Sequence, residues 1–175
     1  NTKYCSLDPE KFPVGDRPWW QDFDDCGYNF RMTDIHAAVG SIQLRKLDAM
    51  NQRRIEIADL ICEGLEDVPG LTLPIVQPGN KHVFHLFPLR IDAIEFGMNK
   101  DQFIATMINE HGVKIGTHYI PLHWSTAFQR RGSKRGQFPN AEAIFEQQVT
   151  LPMHPRLTNE AVNYLVESIR KCRRR

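Results

Sequence analysis

Apolar positions recur at helical spacing in several stretches of this chain and cluster without that spacing in others. Ile35, Ala38, Val39 and Ile42 stand at i, i+3, i+4 and i+7, which places them on one face of a helix. Thr33 precedes them as an N-cap, and Asp34 puts a negative charge where the helix dipole favours it. Gly40 and the small residues Ala37, Ala38 and Ser41 would let another backbone approach closely, so the helix is expected to be packed or to lie between subunits. Charged positions dominate from Arg45 to Glu56. A second stripe then follows in Ala58, Ile61 and Leu65, and Pro69-Gly70 ends it. Asn99 and Gln102 have capping-box spacing ahead of Phe103, Ile104, Met107 and Ile108, and Gly112 closes that helix. Residues 140–148 read as a short helix. Thr158 caps a last one whose face is Val162, Leu165, Val166 and Ile169.

The stretch 83–91 is dense in β-favoured and aromatic residues between Pro78-Gly79-Asn80 and Asp92, which predicts a strand. Pro88 puts that strand near an edge or a bulge. A second strand is expected over 113–119, and Leu151-Pro152 starts a strand or an extended crossing. The order helix, helix, strand, helix, strand, helix, helix is an α+β pattern without internal repeats. Residues 1–26 carry Pro9, Pro13, Pro18 and Gly15 and show no sustained period, so an irregular segment is expected there. Its aromatics Phe12, Trp19, Trp20 and Phe23 must cover a surface on this chain or a partner, or serve a ligand. The stretch 129–137, QRRGSKRGQ, is polar, basic and glycine-containing, and without an apolar anchor it is expected to move.

Composition narrows the function classes only slightly. A chain of 175 residues suits one domain with a real core, and 22 basic against 21 acidic side chains indicate neither disorder nor a strong electrostatic partner. The terminal run of Arg170, Lys171 and Arg173 to Arg175 reads as a solvated helix end favoured by the dipole, rather than a nucleic-acid site. No run of about 18 apolar residues and no signal architecture occurs, which leads to the expectation of a soluble, cytoplasmic protein without a membrane partner. The four cysteines are widely spaced, so reduced thiols are expected.

Seven histidines raise the question of a metal, and their spacing answers poorly. His82 and His85 point to opposite faces if they lie in a strand. His118 and His123 flank Pro121 and could converge, but no nearby Cys or carboxylate in sequence completes a zinc set, so no metal is expected. The G-x-S-x-G, G-x-x-x-x-G-K-[ST] and G-x-G-x-x-G signatures are all missing from this segment.

Three segments have a pattern that composition does not explain. The first is Gly27-Tyr28-Asn29-Phe30-Arg31-Met32-Thr33-Asp34-Ile35-His36-Ala37-Ala38-Val39-Gly40, running into Gln43-Leu44 and Lys46-Leu47. The second is His82-Val83-Phe84-His85-Leu86-Phe87. The third is His118-Tyr119-Ile120-Pro121-Leu122-His123, followed by Pro139-Asn140-Ala141-Glu142 and Leu151-Pro152-Met153-His154-Pro155. In this order they resemble the C-terminal half of the DegT/DnrJ/EryC1/StrS sugar aminotransferases, over about residues 24–170.

The resemblance implies the C-terminal small domain, with the end of the large domain, of a fold-type-I transferase that uses pyridoxal 5′-phosphate. It divides the chain into residues 1–26 as an irregular linker or the end of the large domain, 27–68 as an interface motif with long helices, and 69–175 as the small α+β domain. In the family a lysine upstream of the G-Y-N motif holds the cofactor, and an aspartate further upstream pairs with its pyridinium nitrogen. Only Lys3 and Lys11 precede Gly27, and neither sits in a comparable segment. The chain, which begins with Asn, is therefore expected to be a fragment or one piece of a split or cleaved enzyme, and no Schiff-base residue is assigned.

By the same resemblance Asn29 reaches across a homodimer interface to the partner's cofactor phosphate, and Arg31 orders that loop. His123, with Tyr119 and His118 as further candidates, lies near the substrate. The implied reaction moves an amino group from glutamate to a keto group of a nucleotide-linked sugar. A sugar dehydratase of the same family and a non-catalytic binding or assembly module are the alternatives.

Overall fold

The computed structural model describes residues 30–173, and within them the fold is α+β. The expected irregular segment 1–26 and the candidate Asn29 lie outside the described residues. The chain divides into two compact units, Asn1–Gln43 and Leu44–Arg175.

Where two helices were expected after Thr33, one helix, α1, runs from Asp34 to Leu65. No glycine or proline stands between the two apolar stripes, and Gly40, within the first, costs only about 1 kcal/mol in a helix interior. The Thr33 hydroxyl accepts from the His36 backbone N–H at 3.3 Å and so caps it as the sequence predicts. In the first unit the stripe Ile35, Val39 and Ile42 is exposed and is not covered by the described residues.

In the second unit Ile57, Ala58, Ile61 and Leu65 of α1 enter the core. They meet a three-stranded antiparallel sheet in the order β1 (Leu71–Thr72), β2 (Phe87–Ile91), β3 (Gln148–Leu151). Phe87, Leu89 and Ile91 are buried on alternate positions of β2, as period-two geometry requires. The strand is shorter than the expected 83–91. Phe84 adopts φ 46 just ahead of it, and that turn sends its ring into the core, 6.0 Å from the Phe87 ring. Pro88 does not mark an edge strand, because β2 is central; β1, however, pairs only with Arg90 and Ile91, so at Pro88 the strand has a neighbour on one side alone.

The expected strand over 113–119 reduces to a single bridge, Gly116 with Thr150. Leu151-Pro152 ends a strand instead of starting one. Between β2 and that bridge lie α2 (Ala93–Phe96) and α3 (Lys100–Asn109), the latter with the full Asn99/Gln102 capping box. After Gly116 come a 3₁₀ turn (Leu122–Trp124), α4 (Thr126–Gln129) and α5 (Pro139–Gln147).

The last helix, α6 (Asn159–Cys172), is capped by Thr158 and buries Val162, Leu165 and Ile169, in agreement with its sequence period. Arg53 ties α1 to the start of α6 through the Leu157 carbonyl (2.7 Å) and Asn159 Oδ1 (2.8 Å). Arg170 returns from α6 to the Gly64 carbonyl and to the Asp67 carboxylate. No helix of the described residues is long and apolar enough to cross a membrane.

Candidate functional site

The site is built from one stretch of chain pinned at both ends. Gly116 and Thr150 exchange backbone hydrogen bonds of 2.9 and 2.8 Å, closing the base of everything between them. The His118 ring fills the space beside Gly116, where a Cβ would stand 2.9 Å from His118 Cε1. The chain then passes His118, Tyr119 and the buried Pro121 before it turns. α5 comes back opposite this segment and leads into β3.

Between the two walls lies a cavity of about 230 Å³ lined by His118, Tyr119, Pro121, Ala141, Ile144, Phe145 and Gln148. Its polar groups come from His118, Tyr119 and Gln148. The His118 ring packs edge-on against Tyr119 at 4.8 Å, and its Nδ1 is buried with no hydrogen-bond partner. Gln148 Nε2 donates to the His118 carbonyl at 3.4 Å, and Tyr119 is 75% exposed, which leaves its phenol open to a ligand.

His123 occupies a different setting from His118 and Tyr119. It is 5% exposed, and its Nε2 lies 2.7 Å from Glu142 Oε1. A carboxylate only accepts, so Nε2 carries the hydrogen of this bond. The same Glu142 oxygen accepts from the Gly136 backbone N–H at 2.6 Å. One carboxylate thus holds the 3₁₀ turn and the basic loop to α5.

That loop has anchors its sequence does not show. Besides the Glu142 bond, the Arg135 guanidinium stacks over Trp124 at 4.3 Å, and Trp124 in turn packs on Phe145 at 5.4 Å. Glu142, Gln148 and Phe145 were not assigned from sequence. Only Glu142 left a trace, as the last residue of the Pro139-Asn140-Ala141-Glu142 segment. The carboxylate that the local sequence does not place beside His123 is this one, brought back by α5. Among the described residues no three His, Cys, Asp or Glu side chains are placed to hold a metal ion.

The hydrogen bond from His123, followed by that from Gly136, holds the Glu142 carboxyl below its ordinary value of 4.5. A depressed folded-state value means that the stabilisation is present above the ordinary carboxylate range and is lost as pH falls through the folded value. The clasp should therefore hold at pH 5 and release under stronger acid. Glu142→Gln should remove that step from an acid titration followed by Trp124 fluorescence, and an unchanged titration would contradict it.

Of the two candidates for cofactor contact, Asn29 lies outside the described residues. Arg31 is exposed. Lys100 is the only buried lysine among the described residues, and its Nζ is committed to the Phe145 carbonyl at 2.8 Å and to the face of the Phe145 ring at 3.7 Å. The Lys100 amine is therefore not free to hold a pyridoxal group.

The structure is thus an α+β unit with a small, partly polar cavity walled by an H-Y-x-P segment. Residues 9–170 match the model of the DegT/DnrJ/EryC1/StrS aminotransferase family, and the chain belongs to that family. It is 31% identical to the spore coat polysaccharide biosynthesis protein SpsC of Bacillus subtilis, over 87% of this chain and 39% of that protein. It is likewise 31% identical to the dTDP-3-amino-3,4,6-trideoxy-alpha-D-glucose transaminase of Streptomyces venezuelae, over 83% of this chain and 37% of that one. Among solved structures, S. venezuelae DesV in complex with a ketimine intermediate superposes with a TM-score of 0.77 at 28% identity, over 92% of this chain and 41% of DesV. The chain spans about two fifths of the length of these curated relatives.

Proposed function

We propose that the protein to which this chain belongs transfers an amino group from glutamate to a keto group of a nucleotide-linked sugar, with pyridoxal 5′-phosphate as cofactor, and that it acts as a homodimer with shared sites. In this reading residues 69–175 are the small domain and 27–68 supply the interface motif, with Asn29 and Arg31 directed to the cofactor. The cofactor's contribution is to act as an electron sink. The contribution of this chain is to receive and orient the sugar.

The observation that carries the proposal is the cavity itself. His118 and Tyr119, singled out by the family motif, line one concavity with Gln148, and the exposed Tyr119 phenol and the Gln148 side-chain amide are among its polar groups. A site that presents hydrogen-bonding groups in this way favours a hydroxylated substrate. At about 230 Å³ the cavity is below the roughly 300–1,000 Å³ of sites that enclose a whole drug-sized ligand, so it suits a sugar ring and not a complete nucleotide sugar. The name of the S. venezuelae transaminase, with its dTDP-linked amino sugar, supports the same substrate class. His123, buried and held by Glu142, is assigned to support the wall behind the sugar.

Tyr119→Phe in the intact enzyme tests the placement. Loss of one hydrogen bond should raise KM for the keto sugar by roughly three- to tenfold while the glutamate half-reaction is unchanged. An equal loss in both half-reactions, or none in either, would remove the sugar from this cavity.

A further inference from the structure

Charge along this chain is segregated in a way that its near-neutral total conceals. From His111 to Ala141 there is no Asp or Glu, while Lys114, Arg130, Arg131, Lys134 and Arg135 all fall in that stretch. The same segment supplies His118, Tyr119, Pro121 and Ala141 to the cavity. Arg130, Arg131 and Lys134 are exposed, and among the described residues none of them has a carboxylate within ion-pair distance. Arg135 is turned the other way, flat on Trp124. Gly136, next in sequence, is fixed to Glu142, the residue after Ala141 on α5, so the loop is fastened beside the cavity instead of trailing free.

From this we infer that Arg130, Arg131 and Lys134 form an anion-binding lip that takes the phosphate groups of a ligand whose sugar ring fills the adjacent cavity. A cavity this small leaves the rest of a nucleotide sugar outside, and the diphosphate is the part that leaves the ring first. Guanidinium groups are suited to phosphate oxygens through paired, charge-assisted hydrogen bonds, and without Asp or Glu from 111 to 141 the charge of that segment is positive. Glu142 is engaged by His123 and Gly136 and makes no ion pair with the three basic side chains. The inference rests on assigning the cavity to the sugar, and its test is read without turnover, so each can fail while the other stands.

The probe is inorganic pyrophosphate, titrated calorimetrically into the full chain at low ionic strength. Binding should be weakened about tenfold or more in the Arg130→Ala, Arg131→Ala, Lys134→Ala triple variant. A control variant with Lys81→Ala, Arg156→Ala and Lys171→Ala removes the same charge elsewhere and should bind as the parent does. All six side chains are exposed, and circular dichroism would verify that both variants fold. No pyrophosphate binding, binding indifferent to the triple substitution, or equal weakening by the control would overturn the lip.

Discussion

Gly70→Ala should destabilise the second unit by about 3–5 kcal/mol, the sum of a left-handed backbone penalty and a steric clash that cannot relax. Gly70 has φ +81, and a Cβ there would lie 2.4 Å from the Phe96 backbone nitrogen and 2.8 Å from Phe96 Cα. These are backbone atoms of α2, fixed in turn by the Asp92 cap, whose carboxylate accepts from Ile94 and Glu95 N–H at 2.9 and 3.0 Å. The Gly70 carbonyl also accepts from Asp92 N–H at 2.8 Å, so moving Gly70 away disturbs the same cap. Urea unfolding followed by circular dichroism measures the loss. A change below about 1 kcal/mol, in the range of an ordinary surface substitution, would mean that the β1–α2 corner is looser than described.

The second large effect should fall on activity and spare stability. In Gly116→Ala the added methyl group would stand 2.9 Å from His118 Cε1, and the imidazole is the element that gives way, since the opposite contact is the Thr150 carbonyl of the bridge at 3.7 Å. Displacement of the ring moves its Nδ1 and closes part of the cavity. Misplacement of a positioning group by about 1 Å commonly costs on the order of a hundredfold in rate. The intact enzyme carrying Gly116→Ala should lose kcat/KM for the sugar on that scale and keep the glutamate half-reaction. Unfolding should shift by less than about 2 kcal/mol. A glutamate half-reaction lost in parallel would show that His118 does not act through the sugar.

These two glycines also mark where sequence reading succeeded and where it stopped. Pro69-Gly70 was legible as a turn because a turn of that kind depends on local backbone freedom, although the helix already ends at Leu65. The caps at Asn99 and Thr158 and the face of α6 were legible for the same reason, since each depends on residues within four positions. The strand expected over 113–119 failed because Val113 and Ile115 satisfy a strand pattern, while pairing is decided by what lies alongside; only Gly116 has a partner there. The early end of the strand before Phe87 and the central place of β2 are likewise tertiary outcomes.

In the site, His118 and Tyr119 could be named from the motif, but their companions could not. Glu142 lies 19 positions from His123, and Gln148 lies 30 positions from His118. Nothing local announces a contact across such a separation. The basic loop was read as unanchored because its anchors, Trp124 and Glu142, lie outside its own sequence.

The central claim is nitrogen transfer to a nucleotide-linked sugar, and the most direct measurement follows the nitrogen itself. The intact enzyme, supplied with ¹⁵N-glutamate and a nucleotide-linked keto sugar, should yield 2-oxoglutarate and an equal amount of ¹⁵N-labelled amino sugar still attached to its nucleotide, read by mass spectrometry. A deoxygenated sugar without ¹⁵N would make the protein a dehydratase of the same family. A protein that binds the sugar and changes neither compound would be a binding module, and either result would contradict the account.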